Sequence, residues 1–201
     1  MTKTWLPAGT MSVARIGHTA TRLGDGTVLV TGGLSGAGGT AAPVAGAEIF
    51  NAAPKPTWIV TGALGTARTD HAAVLLQDGT VLVTGGRAGP GVTGTPLNTT
   101  ELYSTATKTW SKGPTLSVAR AAHTATLLNS GAVLVTGGKA AGSPGASLNS
   151  AELLPLAAKA WQSAGTMTVI RSGHTATLRN DGQILVVGGT NDPRTEGYRE
   201  Q

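Results

Sequence analysis

The sequence predicts an all-β chain, a propeller of repeated four-stranded antiparallel blades, on three observations. One segment, first met as "GHTATRLGDGTVLVTGG" at 17–33, recurs at 67–86, 119–138 and 170–189, four copies in a chain of 201 residues. Thirty glycines stand beside only 12% charged residues, a composition of tight turns between short strands rather than of a disordered chain. The "VLV" runs are apolar at consecutive positions, which an antiparallel strand tolerates only when both faces of its sheet are covered.

Each element follows in chain order within the unit. "HTATLL" and "TVLVTGG" are short runs rich in Val, Leu and Thr that flank an Asp-Gly or Ser-Gly turn, a hairpin signature. A loop rich in Gly, Ala and Pro leads to a third strand at "AEIF" (47–50), "TELY" (100–103) and "AELL" (151–154). A fourth strand carries a tryptophan, as in "TWIVTGAL" (57–64). Trp5, Trp58, Trp110 and Trp161 are separated by 53, 52 and 51 residues, and His18, His71, His123 and His174 by the same intervals. A four-stranded unit at this period is what a propeller blade requires.

These motifs resemble the kelch repeat. The Gly-Gly doublet ending the second strand, the Glu-x-aromatic third strand and the tryptophan of the fourth stand at kelch-like positions over nearly the whole chain. The third copy departs at Leu154, where an aromatic is usual, and at Ser130, where the other turns have Asp. The resemblance implies a kelch-type propeller and, since kelch modules are mostly interaction domains, a binding role.

The chain is therefore read as one propeller domain, 1–201, of four repeats. The last blade is shared between the C-terminal segment 170–201 and the N-terminal segment 1–9. Glu196 and Tyr198 match a third strand and "MTKTW" the start of a fourth, so the amino terminus is expected to donate the outermost strand. Closure in cis gives four blades; closure in trans gives an eight-bladed ring of two chains, the arrangement favoured here because it leaves no exposed edge. A truncated piece of a longer propeller is the remaining possibility. Arg22 stands where Leu75, Leu127 and Leu178 stand in the other copies, and Arg179 where Leu23, Leu76 and Leu128 stand. Successive strand residues point to opposite faces, so the two arginines interrupt one face of the first blade and the opposite face of the last.

Catalysis uses one asymmetric constellation of unlike groups, whereas a residue present in every unit serves the unit. All four histidines and all four tryptophans are repeat residues, and Phe50, Tyr103 and Tyr198 fill the third-strand position. Of ten carboxylates, Glu48, Glu101, Glu152 and Glu196 belong to third strands and Asp25, Asp78 and Asp181 to turns, leaving Asp70, Asp192 and Glu200. Arg15, Arg68, Arg120 and Arg171 each precede a repeat histidine by three residues. They are read as structural, bonding with the histidines within or between blades and with the repeated Glu. No catalytic residue, metal site or cofactor is assigned; the competing reading is a ring of imidazoles around an ion. "GGLSGAGG" (32–39) is read as a flexible loop, since no Gly-Lys-Ser/Thr follows to make a phosphate loop.

There is no cysteine, hence no disulfide framework. No apolar run approaches the roughly 20 residues of a membrane span, and no signal peptide is seen. Lys3, Lys55, Lys108 and Lys159 precede the tryptophans by two or three residues. They are expected on one rim with the turn aspartates, without the spare aromatics that single-stranded nucleic acid or a sugar face would need. The net charge of +5 then speaks to solubility. Compartment is left open, with a bacterial surface or secreted context compatible.

The loops after the doublets and those leading to the Arg-x-x-His elements share one face and differ most between copies. That face would offer Arg87, Lys139, Asp70, Asn191, Asp192 and Arg194 to a protein or glycan. The function expected is a non-catalytic binding or scaffolding propeller. Two alternatives are a fragment of a copper-radical sugar oxidase resembling galactose oxidase, whose Cys and paired Tyr this chain lacks, and an excised or engineered propeller unit without its own ligand.

Overall fold

The computed structural model describes residues 8–37, 40–52, 54–90, 94–141 and 146–191, which hold 18 strands. The first sheet is built from β1 (Thr19–Arg22), β2 (Val28–Thr31), β5 (Ala47–Asn51) and β6 (Thr57–Thr61), antiparallel in the order β1-β2-β5-β6. The second sheet repeats it with β7 (Ala72–Leu75), β8 (Val81–Thr84), β11 (Thr100–Ser104) and β12 (Thr109–Lys112). The third uses β13 (Thr124–Leu127), β14 (Val133–Thr136), β15 (Ser150–Leu154) and β16 (Gln162–Thr166). The fourth sheet has two strands among the described residues, β17 (Ser172–Leu178) and β18 (Ile184–Thr190). Its expected third strand at Glu196 and Tyr198, and the N-terminal strand with Trp5, lie outside the described residues.

The hairpin turns explain the residue types found in them. Leu23 N–H donates to Thr27 C=O at 2.8 Å while Asp25 Oδ1 accepts from the Thr27 N–H at 3.0 Å and its hydroxyl at 2.7 Å. Asp78 and Asp181 do the same for the N–H groups of Thr80 (2.9 Å) and Gln183 (3.1 Å). At the departing copy the Ser130 hydroxyl takes the position, at a longer 3.4 Å from Ala132 N. A short oxygen-bearing side chain that caps its own turn is what the position selects.

One expectation is corrected. The stretch "GGLSGAGG" (32–39) is not simply a flexible loop: β3 (Leu34–Ser35) within it pairs β4 (Ala42–Pro43), and after the next two doublets β9 (Arg87–Ala88) pairs β10 (Thr95–Pro96) and Lys139 bridges Ser147. Two-residue strands are too short to carry an alternating pattern, so composition alone hides them.

Successive sheets pack face to face. Leu23, Leu29 and Ile49 of the first meet Leu75, Val81, Tyr103 and Trp110 of the second. Val74, Leu82 and Leu102 on the other side of the second meet Leu127, Val133, Leu154 and Trp161 of the third. Val81, Leu82 and Val83 are all fully buried, which accounts for the "VLV" pattern. The innermost strands also follow one another, β1 beside β7, β7 beside β13 and β13 beside β17. Each fully buried Val or Leu contributes about 1.5–3 kcal/mol, against about 1 kcal/mol net for a neutral hydrogen bond. Apolar packing therefore holds the sheets together, and the polar bonds described next fix their register.

Candidate functional site

Two polar layers are built from the repeat. The first lies within each sheet. Arg68 Nη1 donates to the carbonyls of Gly85 (2.7 Å) and Thr99 (3.0 Å), and its Nη2 to Glu101 Oε1 at 2.7 Å. Arg15 and Arg120 do likewise, reaching Glu48 and Glu152 at 2.8 Å each. Arg171 Nη1 donates to Gly188 C=O at 2.8 Å; Glu196 lies outside the described residues. The carboxylates also receive the incoming chain, Glu101 from Gly65 N–H (2.6 Å) and Thr66 N–H (3.1 Å), Glu152 from Ser117 and Val118, Glu48 from Ser12.

Burial pushes the Glu48 carboxyl up, but bonds from Ser12 and Arg15 outweigh it and hold the group below the ordinary carboxylate range. Burial pulls Arg68 and Arg120 down against the attraction of Glu101 and Glu152.

The second layer runs between sheets. His71 Nε2 is 2.8 Å from Thr19 Oγ1, His123 Nε2 is 2.8 Å from Thr84 Oγ1, and His174 Nε2 lies 3.1 Å from Thr136 Oγ1 and 3.2 Å from Thr124 Oγ1. In each case the threonine belongs to the preceding sheet. The Nδ1 atoms are buried without a hydrogen-bond partner among the described residues. The neutral tautomer with the proton on Nε2 fits, because an unused lone pair costs less than a stranded N–H. Burial, with the neighbouring Arg68 and His18, brings His71 down to about 3; burial, with Arg120 and the flanking histidines, brings His123 to about 3 as well. His174 is also lowered, by burial and Arg171.

Third, a backbone series runs along the inner edge. Asp70 N–H donates to Gly17 C=O (3.2 Å), Ala122 N–H to Asp70 C=O (2.8 Å) and Gly173 N–H to Ala122 C=O (2.8 Å). All four residues hold positive φ, from 52° to 64°. Glycine in two copies of this position was the available signal; the threonines that receive the histidines gave none, because threonine is common throughout the strands.

The candidate partner residues are placed as follows. Asp70 and Arg87 come together as an ion pair, Oδ2 to Nε at 3.1 Å, with Thr69 and Arg87 bridged through their backbones. Lys139 is half-buried and bridges Ala121 and Ser147. Asn191 is exposed, and Asp192 and Arg194 lie outside the described residues. No group of three or more His, Cys, Asp or Glu suited to a metal occurs among the described residues. Trp110 Nε1 donates to Gly62 C=O at 2.7 Å and Trp161 Nε1 to Pro114 C=O at 2.9 Å, so these two rings tie a fourth strand to the sheet before it.

The Kelch motif family matches residues 68–117, from the Arg68 clamp through the Trp110 strand. The chain carries a kelch repeat. The solved structure titled "Structure of YjhT" matches this chain at a TM-score of 0.65 and 18% identity, over 82% of this chain and 56% of that one. That likeness is one of fold, and this chain spans little more than half the length of the YjhT chain. No curated protein matches.

Proposed function

We propose that this chain is a non-catalytic binding or scaffolding propeller that presents its loop ribbons to a partner, a protein before a glycan. The observation that supports it most is the occupation of the repeated polar groups: the Arg–Glu pairs hold sheets, the histidines hold neighbouring sheets, and neither leaves a convergent set of reactive side chains among the described residues. The features that vary from copy to copy are the ribbons β3/β4, β9/β10 and the Lys139–Ser147 bridge, which share one face with the Asp70–Arg87 pair. A rigid scaffold carrying unlike loops is the usual arrangement for recognition. Few exposed aromatic rings are available there for a sugar, which favours a protein.

Immobilised chain titrated with candidate proteins and glycans tests the reading. Saturable binding of one partner, weakened at least tenfold by Lys139→Glu and unchanged by Lys159→Ala on the opposite rim, is the expected result. Binding indifferent to replacement of all three ribbons, or copper-dependent oxidation of a sugar by the purified chain, would contradict it.

A further inference from the structure

We propose that the groove between the second and third sheets is a binding site for a small aromatic carboxylate, whose ring takes the place of a tyrosine side chain that this junction lacks. The site lies apart from the loop ribbons and does not depend on which partner they take.

The junction before it shows what is missing. Tyr103 of the second sheet is fully buried, packs with Leu29 and Ile49 of the first, and holds its hydroxyl 2.6 Å from Thr61 Oγ1. One sheet further on, Leu154 stands at the place of Tyr103, two residues after the repeated glutamate, and Gly113 at the place of Thr61, three residues after the repeated tryptophan. Ring and hydroxyl are both absent. The hairpin that carries Leu154 is also shorter: Tyr103 pairs with Trp110 and Ser104 with Thr109, whereas the β15–β16 pairing ends at Leu153 with Gln162, ahead of Pro155, which has no N–H to give.

Leu154 and Gly113 both line the cavity at this junction, about 570 Å³ against about 430 Å³ for the groove at the junction before. Sites for small molecules have this size and are mostly apolar with a few polar groups. Leu102, Val133 and Leu154 form the apolar walls, and Leu156 stands at the mouth, 62% exposed. The protein cannot refill the space at Gly113, because a Cβ there would collide with Thr100 Oγ1, which is bonded to the Pro114 carbonyl. A ring that fills it comes from outside the chain.

Charge selects the head group. The first groove is lined by one charge of each sign, Asp25 and Lys108. The second has the corresponding pair, Asp78 and Lys159, and adds Lys112 where the first has Val60, each of the two lying opposite the repeated glutamate of its sheet. Asp78 is engaged by its own turn, accepting from Thr80 N–H at 2.9 Å. The lining therefore carries one positive charge in excess beside an apolar wall. A monocarboxylate balances that excess while its ring enters the cavity, and because the three charged residues are exposed its affinity falls as salt rises.

Calorimetric titration of the full chain with 4-hydroxyphenylacetate, its amide and plain acetate tests the site. The aryl acid should bind saturably, one per chain, with a Kd of about 1 mM or below, and the amide and acetate at least tenfold more weakly. Leu154→Tyr supplies the ring from the protein itself and should abolish binding while leaving the circular dichroism spectrum unchanged. Lys112→Glu, at an exposed position, should weaken binding at least tenfold whether or not the tyrosine variant folds. In NMR spectra the aryl acid should shift the methyl resonances of Leu102 and Val133 and leave those of Ile49, in the first groove, in place. No saturation up to about 10 mM acid, equal affinity for the amide, binding retained in a folded Leu154→Tyr chain or in Lys112→Glu, or shifts at Ile49 as large as those at Leu102 would overturn the inference.

Discussion

At the scale of single residues, burial decides what a charge contributes. The Arg68–Glu101 pair is almost wholly removed from water, its side chains 0% and 8% exposed, whereas Arg179 and Asp181 are 52% and 45% exposed. Removing one partner of a buried pair strands the other and costs about 3–5 kcal/mol, while an exposed pair is worth about 0–1 kcal/mol. Glu101→Gln should therefore lower unfolding stability in urea by several times more than Asp181→Asn; equal losses would contradict the assignment of the repeated Arg and Glu to architecture. These residue types were legible in the sequence because they recur at one spacing. Their partners were only half legible: a recurrent Glu is conspicuous, but Thr19, Thr84 and Thr136 are lost among other strand threonines, and the Asp70–Arg87 pair needs the bridge from Thr69 that no linear pattern reveals.

At the scale of elements, the glycine doublet shows how one local motif serves two sheets. Gly137 holds φ +60°, and a Cβ there would come within 2.6 Å of the Arg171 carbonyl and 2.8 Å of the His174 ring. Gly188 occupies the same place in the fourth copy at φ +72° but faces open space. Alanine at either site meets the left-handed backbone cost of about 1–2 kcal/mol; only at Gly137 does it also displace the next sheet. Gly137→Ala should thus depress the midpoint of thermal unfolding clearly more than Gly188→Ala does. The hairpins were readable from their Asp-Gly turns and the "VLV" strands from their apolar runs. The two-residue ribbons were not, since Gly, Ala and Pro hide pairing that tertiary contact imposes.

At the scale of the whole molecule, the four sheets follow one another through junctions that share the bond from a doublet glycine N–H to the next arginine carbonyl, and the period of the tryptophans and histidines made that plan visible in the sequence. What the period leaves open is which threonine meets each histidine, a first-strand hydroxyl at Thr19 and a second-strand one at Thr84. The central claim is that His71 and His123 are neutral ties between sheets. An imidazole brought from its ordinary 6.5 to about 3 takes up its proton less readily in the folded chain than in the unfolded one. Its contribution to stability is then complete above about pH 6.5 and is lost as pH falls toward 3, at ~1.4 kcal/mol per pH unit for each such histidine. The most direct test is a pH titration of the imidazole proton resonances of His71 and His123 by NMR. Both should stay at their neutral positions from pH 8 down to the acid at which the chain unfolds. Smooth protonation of either ring near pH 6.5 in a chain that stays folded would show these histidines to be accessible groups, and would contradict the account.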